Sequence, residues 1–118
     1  MNNQDLKLYI VVNKDIIMSK AKLGIQIGHA CTEFTLHKHS TDLFRLWKNK
    51  NNQTKVILKA PEKELVKLES EDNPNYITIR DAGKTELEPN TLTCVCLGIG
   101  TKAQFSKEIN NFKRWRLC

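Results

Sequence analysis

The chain has 118 residues, a hydrophobic fraction of 40% and a net charge of +6, which together predict one basic domain, residues 1–118, with a packed core. Its longest apolar run, Leu8–Val12, is far shorter than the ~18–20 residues that a membrane-crossing helix needs, and the amino terminus lacks a signal-peptide pattern, so we expect a cytoplasmic protein with no membrane partner. The positive charge favours a polyanionic partner, nucleic acid first.

The first third of the chain predicts a central strand followed by a long helix. Lys7–Val12 is β-rich and almost wholly apolar, which is typical of a strand that is buried on both faces. After a turn over Asn13–Ile17, apolar residues recur at helical spacing from about residue 20 to residue 37, and Ser19 is suited to cap that helix. The core-facing stripe of the helix is expected to contain Leu23, Ile27, Ala30 and Phe34.

The middle of the chain predicts a second helix, a second strand and a third helix. The second helix covers Thr41–Lys48 and the second strand covers Lys55–Ala60. Pro61 suits the first position of the third helix, and Leu65 and Leu68 give that helix its apolar face. The inward side chains of the second helix are expected to be Leu43, Phe44 and Trp47.

The last third predicts two strands around a loop, and then a final helix. The turn signal Asn73-Pro74-Asn75 precedes a strand over Tyr76–Arg80. A loop over Asp81–Thr91 leads to a fourth strand over Leu92–Leu97. The residues expected to end this strand are Gly98 and Gly100, and those expected to cap the last helix are Thr101 and Gln104.

The order of these elements predicts the topology of the sheet. Helices link the first three strands, as in crossover connections between parallel strands, whereas the fourth strand follows a loop and is expected to run antiparallel to a neighbour. The predicted fold class is α/β, a three-layer α/β/α sandwich around a four-stranded mixed β-sheet. Ligands collect at the carboxyl ends of parallel strands, and both Asn13–Lys22 and Asp81–Thr85 lie at such ends.

A polar stripe runs along the long helix. Lys22, Gln26, His29 and Glu33 are spaced by four, three and four residues, so they fall on one helix face beside the apolar stripe. Lys20 and Lys22 lie in the first turn, where a bound anion would offset their unfavourable interaction with the helix dipole. The alternative is a solvated face with ordinary i,i+4 pairs, or a histidine that is hydrogen-bonded at the helix–sheet boundary.

The segment Asp81-Ala82-Gly83-Lys84-Thr85 follows an apolar strand directly. Gly83 permits a turn with positive φ, and Thr85 can return a hydroxyl towards Asp81. Thr91 and Thr93 share one face at the start of the fourth strand. A carboxylate, a lysine and hydroxyls can polarise water and stabilise an oxyanion; the alternative is an Asx turn in which Asp81 bonds its own backbone.

The cysteines form no metal or disulfide pattern. No C-x-x-C occurs, and His37 and His39 have no metal-ligand spacing to a thiol, so we expect reduced thiols and no metal site. The cysteines are Cys31, Cys94, Cys96 and Cys118.

Several segments resemble the type 2 peptidyl-tRNA hydrolase family in order and spacing. Val11–Ala30 is similar to that family's first strand, its D-[LI]-x-M turn and its helix with the pattern G-K-x-x-A-Q-x-x-H-A. Asp81–Thr85 resembles D-A-G-[RK]-T, Leu97–Gly100 resembles the strand end L-G-I-G-P, and Lys55–Ala60 resembles K-V-V-L-K. The chain differs from the family pattern at Asn13 (usually Arg), Ala21 (usually Gly), Glu86 (often Gln) and Thr101 (usually Pro).

This resemblance implies a carboxylic-ester hydrolase that separates a peptide from the 3′-terminal ribose of tRNA. It implies an α/β/α domain that is often dimeric, no metal or organic cofactor, and the acceptor stem and 3′ end of peptidyl-tRNA as the partner. The alternative function is a catalytically silent module of the same fold that binds RNA or a protein.

The resemblance also transfers site residues by position. Asp81 would orient or activate water, and Lys22 would stabilise the oxyanion or contact a phosphate. The catalytic candidates are Lys22, Asp81, Thr85 and Thr93; the substrate-binding candidates are Lys20, Gln26, His29, Lys84 and Thr91. Further basic candidates for phosphate contacts are Lys48, Lys50, Lys113, Arg114 and Arg116.

Overall fold

A computed structural model describes residues 5–84 and 87–114. The first eight elements follow the order that the sequence predicts, and a short fifth strand follows the last helix. They are β1 (Lys7–Asn13), α1 (Lys20–Lys38), α2 (Asp42–Lys50), β2 (Lys55–Ala60), α3 (Glu62–Ser70), β3 (Ile77–Arg80), β4 (Leu92–Gly100), α4 (Ser106–Asn111) and β5 (Lys113–Arg114).

The sheet is mixed, with the strand order β3-β4-β1-β2-β5. Strand β1 is parallel to β2, whereas β4 is antiparallel to both β1 and β3. Strands β1, β2 and β3 therefore run in one direction and finish together, at what we call the carboxyl end of the sheet. The predicted four-stranded mixed sheet is confirmed, and the two-residue β5 adds a short antiparallel pairing to β2 that is too brief to leave a periodic signal.

The central strand supplies both halves of the core. Leu8, Ile10 and Val12 pack with α1 and α2 on one face, while Tyr9 and Val11 pack with α3 and α4 on the other. Successive side chains of a strand point to opposite faces, so a wholly apolar strand requires helices on both sides. This arrangement confirms the three-layer α/β/α sandwich.

Capping side chains set the starts of the two helices that follow β1. The Ser19 hydroxyl accepts a hydrogen bond from the Lys22 backbone N–H at 3.1 Å, and the Thr41 hydroxyl accepts one from Phe44 N–H at 3.1 Å. The predicted Ser19 cap is therefore confirmed, and it fixes the point at which the polar stripe of α1 begins.

Three local predictions are wrong. Leu43 is 43% exposed, because the inner face of α2 is filled by Phe44 and Trp47, with Leu46 packed beside them. Strand β4 continues to Gly100, and Gly98 adopts a φ of 104° where the β1–β4 register shifts, so this glycine permits a bulge inside the strand and does not end it.

The third wrong prediction concerns the last helix. Thr101 and Gln104 do exchange the reciprocal bonds of a capping box, at 2.7 and 3.3 Å. Those bonds close a turn, however, and α4 begins later, at Ser106.

Candidate active site

The first two turns of α1 place polar side chains over the carboxyl end of the sheet. The buried residues of α1 follow a spacing of four: Lys22, Gln26, Ala30 and Phe34. The last two belong to the apolar core. Continuing the same row towards the amino terminus of the helix therefore buries an ammonium and an amide.

Lys22 and Asp81 form a buried ion pair. The Lys22 Nζ lies 2.7 Å from Asp81 Oδ1, and the two side chains are only 9% and 6% exposed. Such a pair is stable only when hydrogen bonds satisfy the remaining lone pairs. Asp81 meets that condition, since its Oδ1 also accepts from Gln26 Nε2 at 3.0 Å and its Oδ2 accepts from the Gly83 backbone N–H at 2.7 Å.

These contacts keep Asp81 ionised. The hydrogen bond from Lys22 is the largest cause that lowers the pKa of the Asp81 carboxyl; burial opposes it, and the Gly83 N–H, the charge of Lys22 and the Gln26 amide lower that pKa further. The site therefore holds a carboxylate and an ammonium side by side in little contact with water.

Gln26 links this ion pair to strand β4. The Thr93 hydroxyl donates to Gln26 Oε1 at 2.8 Å and shares its proton with the Ile79 carbonyl oxygen at 3.1 Å. With its oxygen bonded to Thr93, the Gln26 amide must point its NH₂ group at Asp81. We call Lys22, Asp81, Gln26 and Thr93 the site network. Its hydrogen bonds join residues 55 and 67 positions apart in the sequence.

Asp81 also organises the loop that follows β3. The hydrogen bond from Gly83 N–H to Asp81 Oδ2 forms an Asx turn. The Asx turn and the ion pair therefore occur together, because Oδ2 bonds to the backbone of the loop while Oδ1 bonds to Lys22 and Gln26. Gly83 has a φ of 77°, and a Cβ there would lie 2.5 Å from the backbone of Pro89. Only glycine fits this turn.

Other candidates lie outside the site network. Lys20, His29 and Lys84 are exposed. The Thr91 hydroxyl donates to the Glu88 carbonyl oxygen at 2.6 Å. His29 falls on the solvent side because it directly precedes Ala30, and a step of one residue rotates a side chain by ~100° away from the buried row of α1. Thr85, like Glu86, falls outside the described residues.

The additional basic candidates lie away from the site network or cannot be placed. Lys48 and Lys50 are exposed near the end of α2, beside the start of β2 and therefore at the opposite end of the sheet. Arg116 and the side chains of Lys113 and Arg114 lie outside the described part of the chain.

One buried polar residue, Asn13, is absent from the site residues that the sequence predicts. This side chain is only 1% exposed and lies at the carboxyl end of β1, where the sequence predicts merely the start of a turn. The available signal was an amide directly after an apolar strand, at a position where the resembled family has a larger cation.

Other kinds of site are not supported within residues 5–84 and 87–114. No group of three or more metal-ligating side chains occurs there, and no helix there is both long and apolar enough to cross a membrane. The cysteines in this part are free thiols, and burial raises the pKa of both Cys94 and Cys96 to about 12, so neither is a nucleophilic thiolate.

Comparisons with known proteins identify one family over nearly the whole chain. A family model described as peptidyl-tRNA hydrolase PTH2 matches residues 6–115. A protein named peptidyl-tRNA hydrolase from Thermococcus sibiricus is 37% identical, over 91% of this chain and 95% of the relative. Proteins of the same name from Staphylothermus marinus (35% identical; 96% and 98%) and Methanococcus vannielii (38% identical; 88% and 94%) are similar over comparable lengths.

Proposed function

Because this chain belongs to the peptidyl-tRNA hydrolase PTH2 family, we propose that it hydrolyses the ester between a peptide, or an N-blocked amino acid, and the 3′-terminal ribose of tRNA. The reaction recycles tRNA from stalled translation. The observation that carries the proposal is the buried Lys22–Asp81 pair at the carboxyl end of the sheet, where ligands of α/β folds collect.

Hydrolysis of this ester requires a positioned water and stabilisation of an oxyanion. The oxygen of water bonds to the ester carbonyl carbon, the bond from that carbon to the ribose oxygen breaks, and the ribose oxygen leaves with a proton. Negative charge develops on the carbonyl oxygen in between. Lys22 stabilises that charge, because its ammonium is held at the site by Asp81 in a region of low water content.

Asp81 acts mainly by holding charge and orienting water. A carboxyl group with a lowered pKa is a weak proton acceptor, since proton transfer is most effective when the pKa lies near the working pH. Its carboxylate instead fixes the Lys22 ammonium and offers an oxygen lone pair to the attacking water. Gln26 positions Asp81 through the hydrogen bond from its Nε2, and Thr93 holds Gln26 in turn, since both residues are buried and bond to each other.

The candidates outside the site network contact the substrate. Lys20 and Lys84 are exposed and lie close in sequence to Lys22 and Asp81, respectively. Each of these two cations suits a phosphate of the acceptor stem or 3′ end. His29 and Thr91 complete the proposed substrate-binding set. Thr85, which falls outside the described residues, stays a proposed catalytic residue that positions the ester or the water.

We further propose that residues 1–118 work as a single domain in the cytoplasm, where translation takes place, and that the chain forms a homodimer. Ile25 and Leu36 are 51% and 64% exposed on α1 and offer apolar contacts for a second copy. Light scattering of the purified chain measures the mass directly, and a monomer at micromolar concentration would exclude the dimer.

The test of the activity is release of free tRNA from an N-acetyl-aminoacyl-tRNA. We expect wild type to release tRNA well above the buffer background, and Lys22→Ala and Asp81→Ala to lose at least about 100-fold in kcat, as for loss of an oxyanion-stabilising group. Lys7→Ala, which removes a lysine paired with Asp5 at 3.2 Å at the amino end of β1, serves as the matched control and should retain activity. Wild type at background level would refute the hydrolase.

The alternative, a silent RNA-binding module, is separated by the same assay combined with a gel shift. A silent module would bind tRNA, more weakly at higher salt because of phosphate contacts, and would release none of the bound ester. The family model and the relatives named peptidyl-tRNA hydrolase support the hydrolase over this alternative.

A further inference from the structure

Asn13 is a buried amide that has every hydrogen-bonding partner it needs. It is the last residue of β1 and 1% exposed. Its Nδ2 donates to the Leu92 carbonyl oxygen at 2.9 Å and to Glu62 Oε1 at 3.1 Å, and its Oδ1 accepts from the Asp15 backbone N–H at 2.9 Å. A buried side chain with three strong contacts is held in a single orientation.

These contacts tie together three segments that are remote in sequence. Leu92 begins β4, Glu62 begins α3, and Asp15 lies in the loop between β1 and α1. Asp15 strengthens the connection, because its Oδ2 accepts the Glu62 backbone N–H at 2.8 Å. The loop after β1 is therefore held by hydrogen bonds of both the Asp15 backbone N–H and the Asp15 carboxylate.

Two of the three segments lead directly into the site network. Leu92 is followed by Thr93, whose hydroxyl orients Gln26. The fastened loop leads to Ser19, whose hydroxyl caps α1 at Lys22 N–H. One amide thus contacts both the strand that carries Thr93 and the loop that leads to α1.

We propose that Asn13 is a positioning residue, which sets the distance between Asp81 and the two α1 side chains that bond to it. The inference rests on the proposed hydrolase function for its kinetic consequence. The resembled family usually has arginine here, so this chain achieves the arrangement with a neutral amide that bonds within the protein and leaves phosphate binding to other cations.

The test compares two asparagine variants that lose similar contacts at opposite ends of the sheet. Asn13→Ala removes the amide at the carboxyl end of β1. Asn51→Ala is the matched control, because the Asn51 amide also accepts from a remote backbone group, Leu6 N–H at 3.0 Å, and donates to a backbone oxygen, that of Leu46 in α2, at 3.3 Å. Asn51 lies at the amino end of β1, away from Lys22 and Asp81.

Three measurements are made on both variants: thermal unfolding, kcat and KM with an N-acetyl-aminoacyl-tRNA, and the titration of the Asp81 carboxyl carbon by NMR. We expect both variants to lose comparable thermal stability. Only Asn13→Ala should lower kcat, by about tenfold with little change in KM, because displacements below about 1 Å suffice for such losses. Only Asn13→Ala should raise the pKa of Asp81 towards its ordinary value.

Equal effects of the two variants on kcat and on the Asp81 titration would overturn the inference and leave Asn13 a purely structural residue. If Asn13→Ala does not fold, Asp15→Ala replaces it, because Asp15 is exposed and its loss releases the same loop from α3; the expected changes have the same direction and are smaller, about threefold in kcat. An unchanged Asp81 titration in folded Asp15→Ala would then refute the role. An inactive wild type would refute the hydrolase proposal alone, since the NMR titration does not require activity.

Discussion

Replacing Thr93 with valine tests the site network without changing its shape. Valine matches threonine in volume but cannot donate a hydrogen bond. Thr93 is fully buried, and its hydroxyl donates to Gln26 Oε1 at 2.8 Å, so Thr93→Val leaves a buried amide oxygen without this donor. An unsatisfied buried group of this kind costs about 2 kcal/mol. For a chain of this size that loss corresponds to a fall in Tm of about 8 °C.

The same substitution should reduce activity. Without the Thr93 hydroxyl, nothing on β4 keeps the Gln26 NH₂ group pointed at Asp81, and we expect kcat for an N-acetyl-aminoacyl-tRNA to fall about tenfold. Differential scanning calorimetry and the tRNA-release assay measure the two effects. Thr93→Ser keeps the hydroxyl and should retain most of the activity, and Thr78→Val makes the same chemical change at a half-buried position of β3. A Thr93→Val protein with the Tm and kcat of wild type would refute the network as described.

Two further predictions concern the loop and the charge of the site. Gly83→Ala places a Cβ 2.5 Å from the Pro89 backbone at a φ of 77° and should lower the free energy of unfolding by about 1–2 kcal/mol. The control, Gly28→Ala, adds a Cβ that meets no atom within 4 Å and should raise the free energy of unfolding. Urea unfolding measures both variants, and equal stabilities would contradict the turn at Gly83. The pKa of Asp81 is lower in the folded than in the unfolded chain, so its ion pair contributes stability above the unfolded pKa of about 4 and that contribution disappears as the pH falls towards the folded pKa. The difference in Tm between wild type and Asp81→Asn should therefore shrink below about pH 4, and a difference that stays constant from pH 3 to 7 would show that the ion pair adds nothing.

The periodicity of the chain was sufficient to predict the strands, helices and layers. A wholly apolar Lys7–Val12 requires cover on both faces, and helical connections require parallel strands. Parallel strands end at the same edge, so the segments around Lys22 and Asp81 were predicted at one end of the sheet, where the two side chains meet at 2.7 Å. The errors at Leu43, Gly98 and Thr101 arose where a neighbouring element, and not the local pattern, decided exposure, strand length or helix start.

The residues by themselves determined which groups are available at the carboxyl end of the sheet: an ammonium and an amide four residues apart, and a carboxylate after a strand. Only the tertiary structure decided how these groups are used. Helical spacing placed Gln26 and His29 on one face, but the packing of α1 against β3 and β4 buries Gln26 and leaves His29 in solvent. Asn13 gained its role in the same way, since the atoms it bonds on Glu62 and Leu92 lie 49 and 79 residues away. Contacts across such separations depend on the assembled sheet, and no local pattern in the chain encodes them.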